Sequence, residues 1–410
     1  MSEGKGKKRR KPELVAPGGD WAGLRAAVEN GADAVYFGVR GLNMRNLARN
    51  FDLLELAKVV RFLHHHGCKA YLALNVFVFD DELKKAERIL SEASAAGVDA
   101  VIAWDMGVIT SAAKHHLPVH LSTQASAANQ AALACYREQG VRRAVLAREC
   151  SLAHIRKLRP GAAEQAMEIE VFIHGAMCVS VSGRCFLSLY HHGKSANRGE
   201  CVQPCRREYR IIDSDGDASF VLGQNYVLSP KDLCTIDFLD RLLDAGVDAC
   251  KIEGRKRAPE YVGTVTGVYR RAIDDWQDGT LDAGKKDAYR RELSRVYTRG
   301  FSSGFYFGVP REEWSQGLEH TREKIYIGRI VRFFSKISVA EIKISHHRLR
   351  QGDRVLVRGR HTPGLSAIVR EIEQEHQRVA AAEQGQRAGV KLPFRVRPGD
   401  KVFLWRERGE

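Results

Sequence analysis

Short apolar runs punctuate the first 256 residues, and segments with apolar residues at helical spacing fall between most of them. Four of the runs share one phrase: NGADAVYFGVR (30–40), AGVDAVIAWD (96–105), QGVRRAVLARE (139–149) and AGVDACKIEGR (245–255). In each, a glycine stands where an amphipathic stretch stops, which suits the left-handed residue that closes a helix. An apolar, β-rich segment follows at once, the pattern of a buried strand entered from a helix. ELVAPGG (13–19), KAYLALNVF (69–77), VHLSTQ (119–124) and EIEVFIHG (168–175) complete a set of eight strand candidates. WAGLRAAVENG (21–31) and DELKKAERILSEASAAG (81–97) are examples of the helices between them. Eight strands with crossover helices in this length predict an α/β chain folded as a (β/α)8 TIM-like barrel. The rival, a doubly wound sheet, is weakened because no GxGxxG opens a helix after the first strand.

A barrel of this kind carries its chemistry where the strands end. Those ends hold Arg40, Asn75, Asp105, Gln124, Arg148, Glu149, His174, Glu253 and Arg255. Taken singly, each is as readily an ordinary loop residue or half of a structural ion pair. Taken together they predict an active-site mouth. Arg40, Arg148 and Arg255 are the candidates for clamping a carboxylate or phosphate, since a guanidinium offers two parallel hydrogen bonds. Asn75 and Gln124 are candidate substrate contacts, and Glu253 and His174 candidate proton-transfer groups, with Arg255 beside them.

Beyond the eighth strand, residues 275–308 begin helical and end rich in glycine and aromatics. From about Lys324 the texture becomes short alternating runs, and LRQGDRVLV (349–357) echoes VRPGDKVFL (396–404). Gly-Asp followed by alternation reads as turn then strand. The expected organisation is a disordered basic tail at 1–12, a barrel domain at 13–310 with a Cys-rich insertion at 175–234, and a small closed all-β barrel at 324–410.

Composition narrows the partners. The chain has 410 residues, 44% hydrophobic and 28% charged, so an ordinary globular protein with room for two cores is expected. No apolar run approaches the roughly 20 residues of a membrane span. MSEGKGKKRRKP lacks the apolar core of a secretion signal, and the expected compartment is cytoplasmic. A net charge of +15 and a pI near 9.4 point to polyanions, RNA first.

Four of nine cysteines, Cys178, Cys185, Cys201 and Cys205, fall in one Gly-rich window with spacings C-x6-C, C-x15-C and C-x3-C. In a reducing compartment such clustering points to metal or redox chemistry before disulfides. Neither pair has the C-x2-C knuckle common in zinc sites. Spacing alone ranks an iron–sulfur cluster first, zinc second and unligated thiols third. Arg184, Arg198, Arg206 and Arg207 could offset thiolate charge or form a solvated basic face. Cys234 is a spare thiol; Cys68, Cys135, Cys150 and Cys250 read as core residues.

EVFIHGAMCVSVSGRCFLS (170–188) resembles the signature of the collagenase-like peptidase family of unassigned catalytic type. ELVAPGG, NGADAVYFG, STQASAAN (122–129), NRGECVQPCR (197–206), SPKDLC (229–234), KIEGRKRAPEYV (251–262) and TRGFSSGFYFG (298–308) extend the likeness over almost the whole chain. Members of the family are oxygen-independent hydroxylases as well as named peptidases. One branch of this layout makes 5-hydroxyuridine at the tRNA wobble position using prephenate, and others hydroxylate a 23S rRNA cytidine or ubiquinone precursors. The resemblance therefore implies a 4Fe-4S cluster on Cys178, Cys185, Cys201 and Cys205, prephenate or a similar small dicarboxylate as cosubstrate, and tRNA as partner. The C-terminal VKLPFRVRPGDKVFL is similar to the second domain of translational GTPases. Two departures from the pattern are SPKDLC, where many relatives carry an Asn-Ser-Lys-Asp phrase, and the basic tail.

The peptidase reading lacks its own chemistry in the sequence. There is no G-x-S-x-G elbow and no H-E-x-x-H helix, and HHHG (64–67) and YHH (190–192) lack a zincin's spacing. DSDGD (213–217) reads as a turn, because the twelfth position of a calcium loop would be Gln224. Thiols bound to iron could not serve as nucleophiles, so the peptidase and cluster readings compete for the same residues. A non-catalytic RNA-binding module with structural zinc is the third reading.

Overall fold

The computed structural model describes residues 10–207, 209, 211–212, 219–220, 228–310, 315, 319–375 and 377–408. Most of the basic tail and the DSDGD turn lie outside the described residues. All eight strand candidates are strands: β1 Glu13–Gly18, β2 Ala34–Phe37, β3 Lys69–Ala73, β4 Ala100–Ala103, β5 Val119–Leu121, β6 Val141–Val145, β7 Glu168–Gly175 and β8 Ala249–Ile252. Each is parallel to the next, and β8 pairs with both β7 and β1, which closes the ring. The chain is thus an α/β barrel of eight parallel strands.

The repeated glycines work as the sequence implies. Gly31, Gly97, Gly140 and Gly246 all take positive φ, which lets the chain turn from a helix end straight into a strand. Helices α1 Trp21–Glu29, α2 Leu56–His65, α3 Leu83–Ala96, α4 Met106–Lys114, α5 Gln130–Glu138 and α6 Leu152–Glu164 follow the first six strands. Side chains start several of them: Asp20, Asp105, Asn129 and Ser151 each accept from a backbone N–H one turn ahead.

The main apolar core lies between strands and helices and includes Leu14, Phe37, Leu72, Val101, Leu121, Ile169 and Cys250. Within the ring, Val15, Tyr36, Tyr71, Ile102 and Ala249 form a smaller apolar layer. Alongside it sits a closed charge network. Arg143 reaches Glu13 at 2.6 Å, Glu168 at 2.7 Å and Glu170 at 3.2 Å, and Lys251 reaches Glu170 at 2.6 Å. Every buried charge here has an opposite partner, which is what makes its burial tolerable.

After β7 comes the cysteine loop, then a short strand, Asp232–Cys234, antiparallel to the end of β7 and paired also with Phe301–Ser302. A long helix, α7 Pro259–Gln277, follows β8.

Eight strands between Arg322 and Glu407 form an antiparallel sheet around a second core that includes Ile327, Ile342, Val355, Val390 and Val402. The echoed phrases are one turn used twice. Asp353 accepts from the Arg350 N–H at 2.7 Å, Asp400 accepts from the Arg397 N–H at 2.9 Å, and a positive-φ glycine precedes each aspartate. This region leans on the barrel through α1 and α7, which touch strand Pro363–Ile368, and through a Lys324–Glu260 ion pair. Among the described residues no helix is long and apolar enough to cross a membrane.

Candidate active site at the barrel mouth

A cavity of about 80 Å³ opens at the C-terminal ends of the strands. Its wall draws on Tyr36, Asn75, Gln124, Arg148, Glu253 and Arg255 from five strand ends, and on Cys178, Ser182 and Gly183 from the cysteine loop. The loop after the seventh strand therefore lies across the mouth.

A neutral polar chain lines one side. Asn75 donates to the Ser122 hydroxyl at 3.2 Å, and Ser122 donates in turn to the Gln124 side-chain oxygen. The Asn75 oxygen accepts from the Met44 N–H at 3.1 Å. All three polar side chains are buried, so their orientations are fixed.

The opposite side is charged. Burial opposes ionisation of Glu253, but Arg45 and Arg257 outweigh it, together with hydrogen bonds from Arg45 at 2.7 and 3.2 Å, and hold its pKa near 2. Glu253 is thus a fixed carboxylate, suited to holding a cation. Arg255 is buried, and that burial lowers its pKa to about 10; it donates to the Asn43 side-chain oxygen at 3.1 Å. Arg148 stacks on the Phe172 ring at 4.0 Å and donates to the Ala176 carbonyl at 2.9 Å and the Met177 sulfur at 3.1 Å. Among the described residues its buried Nε–H finds no hydrogen-bond partner. Nor, among those residues, is Arg148 or Arg255 ion-paired to a carboxylate, which leaves two cations in place for an anionic guest.

Two candidates stand elsewhere. Arg40 is largely exposed and pairs with Asp52 at 3.2 Å, on a second cleft beside the mouth. His174 lies behind β7, enclosed by the rings of Tyr261, Tyr269 and Phe301, with centroids 6.0, 5.5 and 5.7 Å away. Burial, then Arg257, lowers its pKa to about 3, so it is neutral at ordinary pH. Asp105 caps α4, and Glu149 is exposed.

The four clustered cysteines are free thiols; Cys178 is exposed and the other three half-buried. Burial raises the Cys205 pKa, Arg206 opposes the rise, and the fields of Cys178, Cys201 and Cys185 add to it, so those three lie within electrostatic reach of Cys205. Backbone contacts tie the loop down: Cys185 N–H donates to Asn197 at 2.8 Å, and Lys256 donates to the Cys201 carbonyl at 3.0 Å. Gly199 fits because a Cβ there would lie 2.0 Å from the Asn43 carbonyl oxygen. The donor set, four thiols beside Arg45, Arg206 and Lys256, suits an anionic thiolate-ligated group. Among the described residues, no three His, Cys, Asp or Glu side chains converge as a site for a single metal ion.

The sequence profile of peptidase family U32 matches residues 19–316. The chain belongs to that family. A collagenase of Porphyromonas gingivalis is 39% identical over 409 residues, covering 97% of this chain and 99% of the relative. A tRNA hydroxylation protein P1 of Bacillus subtilis is 32% identical over 403 residues, covering 96% and 94%. A 23S rRNA 5-hydroxycytidine synthase of Escherichia coli is 40% identical over 285 residues, covering 68% of this chain and 42% of the relative.

Within this U32 chain the sequence reading missed Arg45, Asn43, Arg257 and Lys251. Arg45 lies in GLNMRNLARN, the polar loop that leaves β2, and takes the place at the mouth that the strand-end rule gives to Arg40. Lys251 was visible as a lysine inside an apolar strand phrase, ACKIEG, where a buried charge demands a partner. The exposed Ser151–His154 contact, 2.8 Å, is a helix cap and not a peptidase pair.

Proposed function

We propose that this protein is an RNA hydroxylase, and that its substrate is the wobble uridine of tRNA, converted to 5-hydroxyuridine at the expense of prephenate or a similar dicarboxylate. The observation that carries the reading is the pairing, in one cavity, of carboxylate-free guanidiniums with a cysteine-rich lid. The names of the Bacillus subtilis and Escherichia coli relatives support RNA hydroxylation as the reaction class.

Cys178, Cys185, Cys201 and Cys205 would hold a 4Fe-4S cluster, a group that takes four cysteine thiolates as its protein ligands. When bound, the cluster supplies redox or Lewis-acid chemistry for the oxygen donor. The other residues bind and orient. Arg148 and Arg255 receive the carboxylates of the cosubstrate, since each offers N–H groups with only neutral partners. Asn75, Ser122 and Gln124 present buried donors and acceptors to the Watson–Crick edge of an extruded base. An anticodon loop lowers the cost of that extrusion, because its bases are not paired in a duplex. Glu253 keeps Arg45 oriented beside Cys178 as a permanent carboxylate. His174, neutral and enclosed, supports the strand end and moves no proton at the reacting base.

The test is nucleoside mass spectrometry of tRNA and rRNA from a deletion strain, complemented with the wild type or with Cys→Ser at each of the four positions. Loss of wobble 5-hydroxyuridine derivatives, restored only by the wild type, is expected. Loss of the 23S rRNA 5-hydroxycytidine instead would move the substrate to the ribosome. An unchanged profile, with collagen cleaved by the purified protein, would replace the reading with peptidase activity. Protein purified without oxygen should carry about four iron and four sulfide per chain.

A further inference from the structure

Beside the mouth lies a much larger cleft, about 1040 Å³, walled by the loops after β1 and β2, the start of α7 and the C-terminal β region. Eight of its lining side chains are Lys or Arg and two are acidic. We infer that this cleft is the track along which the RNA backbone runs into the active site. The inference rests on the RNA-hydroxylase reading and says where on the surface the polymer lies.

Three observations carry it. First, the cleft and the catalytic cavity share a wall: Arg255 lines both. Lys256, the next residue, lines the cleft and bonds to the cysteine loop at Cys201, so one end of the cleft abuts the mouth. Second, the cations are presented to solvent. The side chains of Arg49, Arg360 and Arg40 are 82%, 70% and 70% exposed, and Lys401 is exposed as well. Their carboxylate partners, Asp20 at 3.1 Å, Glu55 at 3.6 Å and Asp52 at 3.2 Å, form surface pairs of the kind that hold little energy, so phosphates can displace them. Third, the cations come from both folding units: Arg49 from the barrel, Arg360 and Lys401 from the β region. A small anion would require converging, desolvated donors. A wide groove of separated, solvated cations fits a chain of phosphates. The antiparallel region thus extends the barrel's reach along the nucleic acid, and a base extruded from the track enters at Arg255.

The experiment is fluorescence anisotropy of a labelled tRNA anticodon stem–loop with the full-length protein across a salt series. Two triple variants are compared, with thermal melts confirming folding. The cleft variant is Arg49→Ala/Arg360→Ala/Lys401→Ala. The control, Lys84→Ala/Lys114→Ala/Arg156→Ala, removes the same charge from exposed positions on α3, α4 and α6. The cleft variant should raise Kd by at least about tenfold and flatten the log K against log salt slope by about 2, at roughly 0.7 for each phosphate no longer neutralised. The control should change neither beyond about twofold, the residue of long-range field. If both triples weaken binding equally, RNA binds by net charge alone and the track is wrong although the hydroxylase reading stands. If the wild type shows no salt-dependent binding to the stem–loop or to ribosomal RNA fragments, the RNA reading itself fails and the track with it.

Discussion

Replacing His174 by phenylalanine should make the barrel less sensitive to mild acid. The folded protein keeps His174 neutral down to a pKa of about 3, because burial and the nearby Arg257 disfavour the imidazolium. The unfolded chain titrates the same group near 6.5. Between those values the unfolded state binds a proton that the folded state does not, so stability falls as pH drops below about 6.5. The slope is about 1.4 kcal/mol per pH unit, and roughly 2 kcal/mol is lost by about pH 5. His120, buried inside the ring with its pKa also lowered well below normal by burial and Arg143, adds a second proton over the same window. His120 and the other titrating groups act alike in both proteins, so wild-type stability should fall more steeply than the variant's by about one proton. Phenylalanine suits the site: the neighbours are Tyr261, Tyr269 and Phe301. The imidazole approaches the Tyr269 hydroxyl at 3.4 Å, but that hydroxyl keeps its bonds to the Ile173 carbonyl and the Thr235 N–H when the imidazole is gone. Urea unfolding of the full chain at about pH 7.5, 6 and 5, with the barrel transition resolved from that of the β region, measures the difference. Parallel pH dependences for wild type and variant would show that His174 protonates in place, and the enclosed, neutral assignment would be wrong.

Three further outcomes follow from the same geometry. Glu253→Gln leaves Arg45 without its counter-ion; breaking such a pair should cost about 3 kcal/mol in urea unfolding, and a cost under about 1 would mean water already solvates Arg45. Gly199→Ala puts a Cβ against the Asn43 carbonyl at a φ of +84°, so the cysteine loop should lift off the β2–α2 connection. Limited proteolysis should then cut within residues 178–205 faster than in wild type, and an unchanged digestion pattern would refute that docking. Saturating a small dicarboxylate should raise the barrel's melting temperature, by about 2.7 kcal/mol of linkage at a hundredfold excess over Kd, and Arg148→Met should remove the shift. A shift that survives in Arg148→Met would place the anion elsewhere.

The barrel was readable because parallel strands are buried on both faces and so appear as continuous apolar runs. EIEVFIHG is the plainest case: residues 168–175 are the seventh strand from end to end. It also carries two charges whose place the pattern alone does not give. Glu168 and Glu170 alternate with apolar residues, a pattern that in an antiparallel sheet marks a solvent face. In a closed parallel ring the other face is the interior, and Glu170 is fully buried against Arg143 and Lys251. The mouth was legible only as far as residues directly follow strands. Asn75, Gln124, Arg148, Glu253 and Arg255 line the cavity on that rule. Arg45 does not obey it, since it reaches the mouth by the return of a loop whose course depends on Asn43 and Asn50 bonding its own backbone. No local spacing encodes such a return.

The two ends of the barrel treat charge in opposite ways, and this asymmetry bears on function. Toward the strand starts, Glu13, Glu168 and Glu170 balance Lys69, Arg143 and Lys251, with Tyr71 donating to Glu13 at 2.6 Å. That network is closed, so it specifies the packing of the ring and needs nothing more. At the mouth, the cavity wall carries Arg45, Arg148, Lys251 and Arg255 against Glu253 alone, with Glu170 serving Lys251 from below. Arg45 and Lys251 have Glu253 and Glu170, but Arg148 and Arg255 have no carboxylate partner among the described residues, so each gives up hydration without a counter-charge, at a cost to the fold. Sequence that was free to vary toward stability would replace Arg148 or Arg255 with apolar residues. Their presence is understandable if anions complete the site: thiolates of the loop on one side, carboxylates and phosphates of substrates on the other. Carboxylates or phosphates that pair with Arg148 and Arg255 would supply the missing counter-charge and so bind more tightly.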